Sequence, residues 1–447
     1  MHYTRFLVFV LLLVALAAPQ PARAQAKTII RDTEIETYMK EWFEPVFRAA
    51  GMNGDQVNVI LVQDPAINAF VAGGANIFLY TGLIQKTDNP GELIGVVAHE
   101  LGHIAGGHLI RGREAMKNAS YESILGAILG IGTAIVSGNA SAAGAISSGA
   151  SAMAQRRFLS TSRTYESSAD QAALRYLNQA GLNPTGLKTF MQKLESEELV
   201  PANRQSEYVQ THPLTRNRVM ALEDGVAQSA ARDKPYPAEW LAQHERMKAK
   251  ILGFINPGQV PWVYDDRDQS IPAMTARAVA AYRESRMKEA LALADKLIAA
   301  EPNSPYAHEL KGQMLVDFNR VREGMASYEK AVALKPDAPL IRLALAHAQL
   351  ESAGENKAQI GKAIDNLKRA QKEEPRATLP HRLLATAYGR LGKEPQARLH
   401  LAEEALMQGN KDYAKRHAAF AADNLPKNSP EWLRAQDILS FIAQGKK

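Results

Sequence analysis

The sequence predicts a mainly α chain with one small β-sheet, divided into an N-terminal domain and a C-terminal α-solenoid of helical hairpins. Apolar residues recur at helical spacing along most of the chain, as at Ile35, Met39, Trp42, Phe43 and Phe47. Two β-rich runs, Val57–Val62 and Ala75–Thr81, lie close together and are the strand candidates. Beyond residue 270 one pattern repeats. EALALADKLIAAEP (Glu289–Pro302) aligns with EGMASYEKAVALKP (Glu323–Pro336) after 34 residues, and KAIDNLKRAQKEEP (Lys362–Pro375) follows after 39.

Composition narrows the class. The chain has 447 residues, 46% hydrophobic and 22% charged, which is ordinary globular chemistry and argues against disorder, collagen and coiled coil. That length suggests two or three domains, each with its own core. With no cysteine, a disulfide framework, a thiol nucleophile, a cysteine zinc site and a lipidated cysteine are all excluded. Any metal must be held by His, Asp or Glu. The formal charge of +6 falls by two when Arg5 and Arg23 of the first 24 residues are set aside. The remaining charges are interspersed, so nucleic acid is not an expected partner.

Met1–Ala24 reads as a secretory signal: Arg5 precedes the apolar run Phe6–Ala18, and Ala22-Arg23-Ala24 is a small-x-small cleavage site. The alternative is an uncleaved anchor, against which Pro19, Pro21 and the shortness of the run argue. Cleavage after Ala24 in a chain without cysteine fits a bacterial periplasm. Thr28–Gly51 then reads as an amphipathic helix and Val57–Val62 as a strand. Asn68–Ala72 with Gly73-Gly74 reads as a turn into the strand Ala75–Thr81, and a long helix is expected from about Glu92 to Ala115.

Ser120–Ala154 is different material, apolar with three glycines over Ile124–Val136 and then almost all Ala, Ser and Gly. Three readings compete for it: a transmembrane hairpin, a flap making peripheral contact with a membrane or partner through 120–154, and a packed pair of small-residue helices over the cleft, which is preferred. Ordinary helices resume from Arg156 to Val226. Pro235, Pro237, Pro257 and Pro261 mark a linker and helical connection at 231–270. The expected division is a signal at 1–24, an N-terminal domain at 25–230, that connection, and repeats at 271–447. A fourth, weaker unit runs through Leu383–Gly409, with a capping helix near Trp432. The period and closing prolines resemble tetratricopeptide repeats, although the early tryptophan of that pattern is missing. Such solenoids bind peptides or proteins on a concave face.

The chemistry lies in Val97-Ala98-His99-Glu100-Leu101-Gly102-His103, an H-E-x-x-H. On a helix, residues four apart share a face, so His99 and His103 offer two imidazole nitrogens to one metal ion, and Glu100 reaches a water beside it. Zinc suits such ligands. Two incidental histidines are the plain alternative. It is disfavoured because the apolar run Leu93–Ala98 buries the helix and leaves both rings needing partners.

A longer H-E-x-x-H-x-x-G-x-x-H would need histidine where Leu109 stands. His108 is one residue out of register, and at 100° per residue it points away, as a surface or second-layer residue. The better third ligand is Glu166, four residues before Asp170, which would accept the distal N–H of a ligand histidine. Alone, these acids would read as a solvated helix face. Ala169 is small enough to let two helices approach closely.

These residues together resemble the gluzincin metallopeptidases of the HtpX and BepA type. The resemblance rests on Asn68-Ala69-Phe70 with Gly82-Leu83, on His99, Glu100 and His103, on Glu166 with Asp170, and on Thr211-His212-Pro213 with Arg218, an H-P-x-x-x-x-R. It covers about residues 30–226. The signal, the lack of clear membrane spans and the repeats narrow it to BepA-like periplasmic proteases. It implies one Zn2+ per chain held by His99, His103 and Glu166, with Glu100 as catalytic base and Asp170 behind a ligand.

The resemblance also implies that His212 is able to close the site as a fourth ligand. Lining the cleft or starting the Pro213 turn is the equal alternative. Arg218 would stabilise an oxyanion or, slightly favoured, pair with an acid. The strand Ala75–Thr81 is expected to take extended substrate by β-addition. The implied clients are protein substrates held through the repeats, outer-membrane proteins or their assembly machinery, in a joint protease and chaperone role. The runner-up is a periplasmic chaperone or scaffold with a closed, rarely proteolytic zinc site.

Overall fold

The computed structural model describes residues 28–108, 150–198 and 205–444. The expected signal at 1–24 and nearly all of 120–154 lie outside the described residues.

Among the described residues, four short strands form one sheet in the order β1-β2-β4-β3. β1 (Thr28–Ile30) runs antiparallel to β2 (Asn58–Gln63), with Ile29 opposite Val62. β2 lies parallel to β4 (Asn76–Tyr80), and β3 (Ala69–Ala72) is antiparallel to β4, with Phe70 opposite Phe78. Side chains alternate between faces, as the strand period demands. Leu61, Val71, Ile77 and Leu79 enter the main core, while Val62, Phe70, Phe78 and Tyr80 form a second cluster. In that cluster Phe70 and Phe78 stack with centroids 4.9 Å apart.

Three expectations change here. Thr28–Ile30 is a strand, and α1 (Thr33–Ala49) begins only after Asp32, whose Oδ1 accepts the Ile35 N–H at 3.0 Å. Ala69–Ala72 is a strand, and the turn is confined to 73–75, with Gly73 and Gly74 at φ 59° and 99°. The strand at Ala75–Thr81 cannot accept a substrate strand, because β2 and β3 already occupy both its sides. The edge strand beside the helices is β3.

α2 (Thr81–Lys86) leads to α3 (Pro90–Ala105), which starts with Asn89 accepting the Glu92 N–H at 3.2 Å and Pro90 in its first turn. α3 is buried from Pro90 to His103. It stops well short of Ala115, at Gly106 and Gly107, the latter with φ 61°. α4 (Ala150–Gln179) crosses it. At the crossing a Cβ on Gly102 would stand 2.8 Å from the Ala169 carbonyl, so this contact requires glycine. α5 (Thr185–Glu198), α6 (Glu207–Thr211) and α7 (Arg216–Ala227) follow.

The expected linker contains one long helix, α8 (Ala238–Ile255), followed by a short α9 (Val260–Val263). Trp240, Met247 and Ile251 of α8 belong to the same core as Trp42, whose Nε1 donates to Gln243 Oε1 at 2.7 Å. Ala249 packs instead with Ala276 and Ala280 of α10 (Ile271–Arg283). One helix therefore serves both cores. A buried polar knot adds to the join: Lys250 sits 2.7 Å from Asp32 and 3.0 Å from Glu34, and Thr33 donates to Glu309 at 2.5 Å. Burial, opposed by Lys250, pushes the Glu309 carboxyl up to about 8.

From α10 onward the chain folds as five helical hairpins. α10 pairs with α11 (Met287–Ala300), α12 (Pro305–Asp317) with α13 (Val321–Leu334), and α14 (Pro339–Ser352) with α15 (Lys357–Glu373). α16 (Leu379–Arg390) then pairs with α17 (Glu394–Met407), and α18 (Lys411–Asn424) with α19 (Pro430–Gln444), which contains Trp432. The three aligned strings fall on α11, α13 and α15, the second helix of each hairpin. Among the described residues, no helix is long and apolar enough to cross a membrane.

Candidate metal centre

α3 supplies His99, Glu100 and His103, and α4 supplies Glu166 and Asp170. His212 caps the end of α6, and Arg218 lies in the first turns of α7. All seven are buried, His99 completely. The close α3–α4 crossing at Gly102 and Ala169 brings the histidines to the acids.

His99 Nε2 lies 3.1 Å from His103 Nε2, 3.2 Å from Glu166 Oε2 and 3.3 Å from His212 Nδ1. His103 Nε2 is 3.3 Å from Glu166 Oε1, and His212 Nδ1 is 3.0 Å from Glu166 Oε2. Ligand atoms around a tetrahedral ion with bonds of about 2.0–2.1 Å are separated by about 3.3 Å. The four donors thus have the mutual spacing and the chemistry of a metal-binding set. His99, His103, Glu166 and His212 are all buried at that point.

The surrounding groups fix which nitrogens face inward. His99 Nδ1–H donates to Asp170 Oδ1 at 2.9 Å, which directs its Nε2 toward the centre. Burial alone would lower His99, but the bonds to Asp170 and Glu166 outweigh it and raise the imidazole to about 10. Burial pushes His103 down to about 4 and Glu100 upward. Burial also works against the Glu166 charge, yet the neighbouring His212 and His103 hold that carboxyl well below its usual range. Asp170 is likewise held low, chiefly by Arg218 and then His99 against burial.

Arg218 is committed to acids. Its Nε donates to Asp170 Oδ2 at 2.7 Å and one terminal nitrogen to Asp170 Oδ1 at 2.9 Å. The other terminal nitrogen lies 3.1 Å from Glu166 Oε2 and donates to the Pro213 carbonyl at 2.8 Å.

His108 does not point away. Its Nδ1 lies 3.0 Å from His103 Nδ1, and its ring stacks on Tyr165 at 4.4 Å. The helix has ended at Gly106-Gly107, so 100° per residue no longer applies and the turn folds His108 back behind the ligand. Sequence reasoning also passed over Tyr208. It is fully buried, stacks on His212 at 4.5 Å, and its hydroxyl has no partner. Its position four residues before His212 on one short helix was the available signal. Glu100 Oε1 and His212 Nε2 are buried without hydrogen bonds as well, 3.5 Å apart.

Comparison with known proteins agrees with this geometry. Residues 33–226 match the family described as Peptidase family M48. A beta-barrel assembly-enhancing protease of Yersinia pestis is 27% identical over 299 residues, covering 65% of this chain and 60% of that protein. Its Escherichia coli K12 counterpart aligns to the same extent. The match therefore spans about three fifths of these relatives' length. The Escherichia coli metalloprotease LoiP is 30% identical over 176 residues, 39% of this chain and 64% of that protein. Among solved structures, the chain described as MamA MSR-1 C2 aligns over 38% of this chain and 97% of its own, at 18% identity and a TM-score of 0.32. The H-E-x-x-H helix, the acidic helix crossing it and the match to peptidase family M48 all fall within one segment, residues 33–226.

Proposed function

We propose that the chain is a periplasmic zinc endopeptidase acting on unfolded or misassembled proteins, outer-membrane proteins among them. The observation that carries this is the buried convergence of two imidazoles and a carboxylate beside Glu100, whose Oε1 has no hydrogen-bond partner. His99, His103 and Glu166 would hold one zinc ion, which when bound would supply Lewis acidity at neutral pH. Glu100 takes a proton from the attacking water and delivers it to the leaving amine nitrogen. Its burial, which raises the carboxyl, suits that exchange. Asp170 fixes the His99 tautomer. Arg218 acts as a positioning residue, since its donors are spent on Asp170, Glu166 and Pro213. Tyr208 keeps an unspent hydroxyl for a developing oxyanion.

An extended substrate would add at β3, the edge strand packed against α3. The hairpins after residue 270 would hold protein clients. The relatives named for β-barrel assembly support outer-membrane proteins as that class.

His212 is proposed to hold the resting site closed, because its Nδ1 occupies the fourth corner while its ring stands against Glu100. His212→Ala should then raise the cleavage rate of an unfolded polypeptide by roughly tenfold, the gain from freeing a site open about a tenth of the time. A lower rate would make His212 part of the reaction instead. No cleavage by either chain would favour the second reading, a scaffold with a permanently closed site.

A further inference from the structure

We propose a second metal site in the repeats, formed by His381 of α16 with His400 and Glu403 of α17, which takes a divalent transition-metal ion of the zinc class. His400 and Glu403 are three apart and share one face of α17, and His381 approaches from the paired helix. His381 Nδ1 and His400 Nδ1 are 3.3 Å apart, and each lies 2.9 Å from Glu403 Oε2. These separations lie close to the about 3.3 Å edge of a tetrahedral site and match the spacing at the first centre. Both rings are buried, with His381 2% and His400 5% exposed.

Glu403 Oε2 is the informative atom. It is buried and accepts no well-aligned hydrogen bond although two ring nitrogens stand beside it. A buried carboxylate oxygen in that position needs a partner, and a cation between the three atoms provides one. The other oxygen, Oε1, is held by Arg434 of α19, whose Nε donates at 2.7 Å. That bond orients the carboxylate and leaves Oε2 to the metal.

The groups behind the site fit the same role. Tyr388 stacks on His400 at 5.6 Å with the rings 6° from parallel, fixing its orientation. The Gln371 amide of α15 lies 2.9 Å from His381 Nε2. With the amide oxygen turned inward it accepts the Nε2–H and frees Nδ1 for the ion, an arrangement usual behind metal-bound imidazoles. The ion clamps α16 to α17, while Arg434 extends the join to α19. This site shares no residue with the first centre and does not depend on the peptidase reading.

The test uses the full chain carrying His99→Ala and Glu166→Ala, so that the first centre is disabled. Titration with ZnCl2, followed by calorimetry and by metal analysis after gel filtration, should give one bound equivalent per chain and a higher melting temperature. Adding His400→Ala or the shape-preserving Glu403→Gln should weaken that binding by about 100-fold or more. A visible Co2+ spectrum of nitrogen and oxygen coordination in the chain with His381, His400 and Glu403 intact reads the site without altering it. No uptake of Zn2+ or Co2+ by that folded chain overturns the proposal. So does uptake that His400→Ala and Glu403→Gln leave undiminished.

Discussion

Replacing Glu100 by Gln should slow cleavage of an unfolded polypeptide by about 10²–10⁴-fold, the range over which positioned acid–base groups act. The substitution keeps the shape of a fully buried side chain. It removes the one carboxylate at the centre that has an unpartnered oxygen and makes none of the short contacts to the ligand set. Metal content and substrate KM should stay near those of the parent chain, so the loss falls on kcat. A steady-state assay beside metal analysis checks both. Cleavage within about tenfold of the parent would assign the proton transfer to another group.

Asp170→Ala should have the largest effect on stability. Asp170 is 4% exposed and receives two hydrogen bonds from Arg218 and one from His99. Removing it leaves a buried guanidinium with only Glu166 and the Pro213 carbonyl to offset its charge. Breaking such a pair from one side costs about 3–5 kcal/mol. The metal should also bind about 10–100-fold more weakly, because the His99 ring loses the partner that fixes its tautomer. Urea unfolding and a zinc titration on the same protein read the two effects. A loss below about 1 kcal/mol would mean that Arg218 re-pairs, and that Asp170 is not what holds the cluster together.

The parts of the centre legible in the sequence are those whose geometry is local. His99 and His103 share a face because a helix places residues four apart together, and the same spacing pairs Glu166 with Asp170. Nothing local says that α4 crosses α3. The hints were Gly102 and Ala169, small residues at the point where the backbones meet. His212 and Arg218 came only through the family resemblance, since a Thr-His-Pro turn carries no distance information of its own.

The misreadings have the same origin. His108 was placed by continuing helical arithmetic past Gly106-Gly107, where the helix had stopped. The strand at 75–81 was taken as a free edge because its parallel neighbour β2 joins it across an intervening hairpin arm, a non-local pairing that alternation cannot reveal. The connection at 231–270 was read as a linker with helical stretches because of its prolines. Yet these flank α8, whose Trp240 and Met247 complete a core begun two hundred residues earlier. The repeats were legible from their period, while His381 and His400, on different helices, carried no motif to join them.

The most direct test of the account is the metal content of the purified full chain beside that of its His99→Ala and Glu166→Ala variants, measured by mass spectrometry after metal-replete purification. The account predicts that each variant carries one zinc equivalent per chain less than the parent, whatever the repeats bind. Equal metal content in all three proteins would contradict it, leaving residues 33–226 a fold without metal chemistry.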